Sequence, residues 1–455
     1  MVASRGDVFE MLDRALAHST SEATEALYLG QDAALTRFAT NQIHQNMREH
    51  DATVQVRVVD HDRVGVASTN RLDEAGVRSV VERAAAIAER SAPNPRAAIL
   101  PEPDGREHDP ELGHVAATAE AGAERRAEGA RAVIAAGEAA GLQSSGSFST
   151  SVMTIAVANS KGVRAEHRST RAALLTVMMD GFASGAASGY AQAGSTDIGE
   201  VDAEAIGIEA ARKGDEMRGA GELEAGEYEV ILEEYAVAGL LEYLSYIGFS
   251  GLAHEEGRSF MDLGKRVMGE NVSIWDDGSD PSGMPSPIDF EGVVRHRVDL
   301  IADGVASAVV HDAATGARAG SGSTGHGLPA PNLIGPMALN TFMAPGTTPR
   351  DELIAGIKRG VWVTRFHYIN PVHPKKAILT GMTKDGTFLI EDGKLARPLL
   401  NFRFTQSIPE AFSDVRAASR ETKLLPGEFF GASRVPALHL GSFNFTGVTA
   451  AEGGG

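Results

Sequence analysis

Near the start of the chain, Val8, Met11, Leu12, Ala15 and Leu16 recur at helical spacing, which predicts an opening amphipathic helix. The period then changes. Residues 26–31 and 51–69 read as strands, with 35–45 as a further candidate between them. Val54, Val56 and Val58, then Val64 and Val66, alternate on either side of His61-Asp62, the pattern of a hairpin. Asn70 is placed to cap a helix over 72–91, whose buried face is marked by Val77, Val80, Val81, Ala84 and Ile87. Residues 93–110 hold five prolines and little apolar periodicity, and predict a long connecting loop. An Ala-rich helix follows over 115–140, weakened by Gly122 and Gly129. Residues 148–184 read as strands around a Ser160-Lys161-Gly162 turn. Residues 181–194 read as an exposed loop of small side chains, and 202–218 as another helix.

The texture changes at 219–226, and a domain boundary is placed there, dividing the chain into 1–220 and 221–455. A short strand over 228–232 leads into a helix on which Ala236, Gly239, Leu240, Tyr243, Leu244 and Ile247 share a face. Beyond it the chain is β-rich. Asp303-Gly304, Asp385-Gly386 and Asp392-Gly393 each lie between apolar runs, where Asp-Gly signals a hairpin turn. The tail, 450–455, is expected to be disordered. The fold class is α+β: an N-terminal α/β domain, then a β-rich C-terminal domain.

At 455 residues the chain exceeds what one core usually supports, consistent with two domains. Its 42 Lys and Arg against 61 Asp and Glu leave a formal net charge of −19, a poor basis for gripping a phosphate backbone or an anionic membrane. No nucleic-acid or membrane partner is expected. With no cysteine, disulfides, thiolate metal sites and cysteine nucleophiles are excluded. The first 14 residues lack the basic start and apolar core of a signal peptide, and no apolar run is long enough to span a bilayer, so a cytoplasmic location is expected.

Candidate chemistry is sparse. His254-Glu255 begins like a zinc helix, but the second imidazole that H-E-x-x-H needs one turn on is absent: Arg258 and Ser259 stand there. His367 and His373 bracket Asn370-Pro371 with no third ligand beside them. His254, His367 and His373 are the candidates for a relocated metal site. His296, between Arg295 and Arg297, reads as a surface residue. The glycine- and serine-rich run 320–327, which includes His326, lacks the Lys-Ser/Thr ending of a phosphate loop and reads as a mobile loop over a groove. Asp276, Asp277 and Asp280 do not match a calcium loop and are read as a turn. No G-x-S-x-G elbow is present.

Several segments, in order, resemble one family. They are Leu35-Thr36-Arg37-Phe38-Ala39-Thr40-Asn41-Gln42-Ile43-His44-Gln45, then Ala67 to Asp73 leading into a helix. Leu328-Pro329-Ala330-Pro331-Asn332-Leu333 approaches a Pro345-Gly346 turn. A late hairpin around Glu391-Asp392-Gly393-Lys394 and a closing Phe443-Asn444-Phe445-Thr446-Gly447 complete the series. The chain is similar to the TldD/PmbA family of peptidases, nearly end to end. Zinc-bearing members carry H-E-x-x-x-H on the helix that opens the second domain, with a cysteine near the C-terminus completing the site. The resemblance places that motif on Glu242-Tyr243-Leu244-Ser245-Tyr246-Ile247. Glu242 and Ile247 replace the histidines, Tyr243 replaces the general-base glutamate, and the cysteine is gone.

The resemblance therefore implies the zinc-less TldE/PmbA-like branch: a non-catalytic subunit, without cofactor of its own. It would pair with a zinc-bearing TldD-type subunit in a heterodimeric metallopeptidase that processes unfolded or small peptides. The alternatives are a stand-alone homodimeric hydrolase with a relocated metal site, and a peptide-binding protein without proteolytic activity.

Overall fold

The structure, a computed structural model, describes residues 5–181, 187–427 and 431–448. The N-terminal part runs α1 (Arg5–His18), β1 (Ala23–Ala39), β2 (Gln42–Asp60), β3 (Arg63–Thr69), α2 (Glu74–Arg90), α3 (Ala116–Ala119), α4 (Ala123–Ala139), β4 (Gln143–Asn159), β5 (Arg164–Met179), β6 (Ser188–Ser195) and α5 (Ala203–Glu216). Its six strands form one antiparallel sheet in the order β3-β2-β1-β4-β5-β6.

Each half of this sheet is a three-stranded meander followed by a helix that folds back on its edge strand. The contact needs a glycine both times. A Cβ at Gly65 on β3 would lie 2.0 Å from the Ala84 carbonyl oxygen of α2. One at Gly189 on β6 would lie 2.2 Å from the Ala210 carbonyl oxygen of α5. The alternation of each strand then assigns the two faces. Even-numbered residues such as Tyr28, Val54, Val56, Leu174 and Met178 enter the cores under the helices. Odd-numbered Leu27, Ile155 and Val157 pack on the opposite face against Ile288 of the C-terminal part.

The C-terminal part continues with β7 (Gly226–Leu232), α6 (Glu234–Ile247), α7 (Gly251–Glu255), β8 (Ile274–Asp276), β9 (Val298–Ala302), β10 (Val305–Ala306), α8 (Ala313–Ala319) and β11 (Asn340–Met343). The remaining elements are β12 (Arg359–His373), β13 (Ile378–Glu391), β14 (Lys394–Pro398), β15 (Phe402–Ser407), α9 (Ile408–Ser413), β16 (Val415–Pro426) and β17 (Ala432–Val448). Strands β7, β12, β13, β15 and β17 pair in a closed circuit, because β17 hydrogen-bonds to β7 as well as to β15. Phe366, Phe402, Phe404, Phe443 and Phe445 fill its core, and α6 lays Val237, Leu240, Leu241 and Leu244 against it. No helix among the described residues is long and apolar enough to cross a membrane.

Several local expectations are revised. Residues 35–45 are the tip of a long β1–β2 hairpin that turns at Thr40 and Asn41, both at positive φ. Helix α2 is capped by Asp73, not Asn70: its Oδ1 accepts the Gly76 amide at 2.7 Å. The Ala-rich helix breaks at Gly122, which is extended and begins α4. Within 181–194, Ser188–Ser195 is the buried strand β6 rather than an exposed loop; positions 182–186 lie outside the described residues, as does the tail 450–455. Asp385-Gly386 is not a hairpin turn. It is a bulge within β13, two residues opposing Thr364 alone, and it turns the Asp385 carboxylate inward.

Candidate functional site

Helix α6 begins in a knot of buried charge. Glu233, its N-cap residue, accepts from Lys213 Nζ of α5 at 2.7 Å, from Arg350 Nη2 at 3.0 Å, from Thr364 Oγ1 at 2.8 Å and from the Trp362 indole. Burial disfavours its charge, yet Lys213 and Arg350 bring its pKa down to about 2. Glu234 takes the other side of Arg350 at 3.0 Å. Lys423 joins Glu209 to the Tyr235 hydroxyl, and burial beside Glu209 raises the pKa of that phenol. Carboxylates at a helix N-terminus also meet the positive end of its dipole. The knot joins α5, which packs on the first sheet, to the start of α6 and so fixes how α6 lies between the N-terminal and C-terminal parts.

One turn further on, α6 lines a cavity of about 530 Å³, within the usual range for small-molecule pockets. Ala238, Gly239, Glu242 and Tyr243 face it from the helix. Odd-numbered residues of β5, Arg171 to Val177, form the facing wall, with Tyr190 and Gln192 of β6 beside them. Residues 365–369 of β12 close a third side. There the Tyr243 hydroxyl donates to the Ile369 carbonyl at 2.6 Å. The preceding residue, Tyr368, holds φ at 50° in a bulge against β13. A non-glycine residue in that region is a strained feature that tends to occur at working surfaces.

Arg365 is held by Asp385, whose bulge carries the carboxylate to it at 2.7 Å; the same carboxylate accepts Ser188 Oγ of β6 at 2.7 Å. The Arg365 guanidinium also stacks 4.4 Å from the Tyr190 ring centre. A hollow of similar size, about 540 Å³, lies by Phe9, His108 and Arg164, away from α6.

The positions singled out in the sequence separate. Glu242 and Tyr243 both line the cavity, whereas Ile247 is 2% exposed in the core. His367 lines the cavity; His254 is half-buried on α7, and His373 is exposed at the end of β12. Among the described residues, only exposed or half-buried Glu22, Asp60 and His61 bring three donor atoms within 4.8 Å of one another. Glu255, beside His254, braces Arg96 and Arg318.

The 320–327 run is not a loop over a groove. His326 is fully buried, its Nε2 2.8 Å from Asp276 Oδ1, and Asp276 also accepts the Asn340 amide at 2.7 Å. His296 is half-buried beside Arg106. Arg171, Arg365, Tyr190 and Tyr235 were not singled out in the sequence. For Arg171 the only trace there is a basic residue in phase with one face of an alternating strand, and the tyrosines leave none.

Three family models match the chain in order: PmbA/TldA metallopeptidase domain 1 over residues 31–88, the central domain over 115–217 and the C-terminal domain over 225–447. A metalloprotease of Methanothermobacter thermautotrophicus is 25% identical over 277 residues, 58% of this chain and 60% of the relative. A TldD homologue of Haemophilus influenzae is 29% identical over 147 residues, 30% of this chain and 29% of the relative. The chain thus spans less than two thirds of the length of these curated relatives. Among solved structures, TldE from Thermococcus kodakarensis superposes with a TM-score of 0.87 at 20% identity, over 97% of this chain and 100% of that one. A proposed modulator of DNA gyrase from Thermotoga maritima superposes at 0.84 and 17% identity, over 96% and 100%. At such identities the likeness is one of fold. Because the three models follow one another along most of the sequence, the chain belongs to the PmbA/TldD family of metallopeptidase-related proteins.

Proposed function

We propose that this chain is a zinc-less, non-catalytic subunit of a cytoplasmic two-chain peptidase. It supplies cavity wall and interface to a zinc-bearing TldD-type partner, and the pair acts on unfolded or small peptides. One observation supports the reading: the side chains at the positions where the resemblance places the zinc motif do not make a zinc site. A catalytic zinc takes three protein ligands and keeps a place for water. Here α6 offers one carboxylate, Glu242, and a phenol, Tyr243, already donating to Ile369; the third position, Ile247, is apolar and turned into the core. No cysteine is available as a substitute. These residues do not fit the metal, and no hydrolytic step is assigned to them.

What the cavity offers instead is contact. Apolar side chains alternate with a few convergent polar groups, a lining suited to a peptide with little demand on its sequence. The test is zinc content and pairing. The tag-free chain, dialysed and analysed for metal, is expected to hold close to none. Peptidase activity is expected only when it is mixed with a zinc-bearing family member. About one tightly held zinc per chain would overturn the proposal. So would a Glu242→Ala/Tyr243→Ala double variant that left both assembly and activity of the pair unchanged.

A further inference from the structure

Arg171 differs from the cations that pin this junction. Arg57, Lys213, Arg350 and Arg365 each hold a carboxylate within 3.0 Å. The Arg171 side chain lines the cavity from the middle of β5, yet among the described residues it donates no hydrogen bond and has no carboxylate within 4.0 Å. Burial lowers its pKa, and the charge working to restore it is that of Glu242 on the opposite wall. Ser245 of α6 lies behind the cavity wall, fully buried, and does not reach the cavity with its Oγ. Charges inside a fold ordinarily find partners there, so a half-buried guanidinium that faces a cavity without a carboxylate is placed to take one from a ligand.

A guanidinium presents a rigid planar fork that matches a carboxylate through two parallel hydrogen bonds, and does so best where water is scarce. We propose that Arg171 binds a carboxylate of a peptide lying in this cavity. This rests on the reading that the cavity takes peptides, but not on any partner chain. Ala173, Leu175 and Val177 continue from Arg171 along the same face of β5, so residues beyond the carboxylate would lie on an apolar wall. Glu242 opposite repels a second negative charge and sets the direction in which the ligand lies.

The carboxylate is either the C-terminus or an acidic side chain, and three short apolar peptides separate these sources: a free acid, its C-terminal amide, and the amide carrying one Asp. Binding to the full-length chain is read by titration calorimetry. The free acid, the Asp-bearing amide or both are expected to bind about tenfold more tightly than the plain amide. Arg171→Gln should abolish that difference while leaving the plain amide unaffected, and Glu242→Gln should enlarge it. The second variant keeps the test decisive if the first folds poorly. Equal binding of all three peptides to the unaltered chain would overturn the Arg171 proposal alone. Failure of every peptide to bind would remove the peptide reading with it.

Discussion

Lys213 of α5 and Glu233 at the start of α6 form a 2.7 Å ion pair with both side chains almost wholly buried. The pair crosses the junction between the two sheets. Taking one charge from such a pair leaves the other in a medium that solvates it poorly, which costs about 3–5 kcal/mol. Arg350 remains beside Glu233, so Lys213→Met is expected at the lower end, ~3 kcal/mol, measured by urea unfolding. A Lys213→Met/Glu233→Gln double variant should recover part of the loss. A loss below ~1 kcal/mol would mean that the junction is held by its apolar contacts instead.

Two carboxylates should give stability opposite pH dependences. Glu233, held at about 2, contributes above the ordinary carboxylate range, and its contribution is lost as pH falls from about 4.5 toward 2. Glu291 lies buried with Asp289 and Glu25 around Arg57. Burial and these neighbouring negative charges outweigh Arg57 and push it up to about 8. The folded chain keeps a proton there that the unfolded chain releases above about 4.5, so stability declines as pH rises from 4.5 to 8. Glu291→Gln should flatten that decline, measured as unfolding free energy across a pH series. Parallel curves for the two proteins would show that Glu291 does not titrate in this window.

Gly189 lets α5 lie on β6. A methyl group there would stand 2.2 Å from the Ala210 carbonyl and 2.3 Å from the Gly214 amide, both backbone. Gly189→Ala is therefore expected to lose ~1–3 kcal/mol through displacement of the helix. Gly356→Ala, where nothing lies within 4 Å, should be nearly neutral in the same assay.

Tyr243→Phe removes the 2.6 Å hydrogen bond to Ile369 and keeps the aromatic ring. A loss of about 1 kcal/mol is expected. Because that bond joins α6 to the β12 bulge, peptide affinity should fall together with stability. Unchanged affinity would place bound peptide away from residues 365–369.

Periodicity located α1 and α6, because each buries one face and the spacing of its apolar residues records that face. The Asp303-Gly304 and Asp392-Gly393 turns were legible for a similarly local reason: their backbone needs positive φ. Asp385-Gly386 carries the same local signal, but β13 continues past it in register with β12, so only strand pairing distinguishes a bulge from a turn. β6 was misread because its small residues answer the close approach of α5, a partner outside the local pattern. The expectation of a degenerate zinc motif at Glu242, Tyr243 and Ile247 was likewise legible in residue identity, through the resemblance.

The cavity was not. Its walls come chiefly from β5, β6, α6 and β12, and its lining residues run from Ser149 to Ser433 along the chain. Arg171 looks like any basic residue on a strand until α6 of the C-terminal part covers it. Alternation and helical spacing record which side of an element is buried, since burial of apolar surface drives each element separately. They do not record what lies opposite, because that depends on long-range packing and on the single arrangement in which the buried charges between the layers are paired.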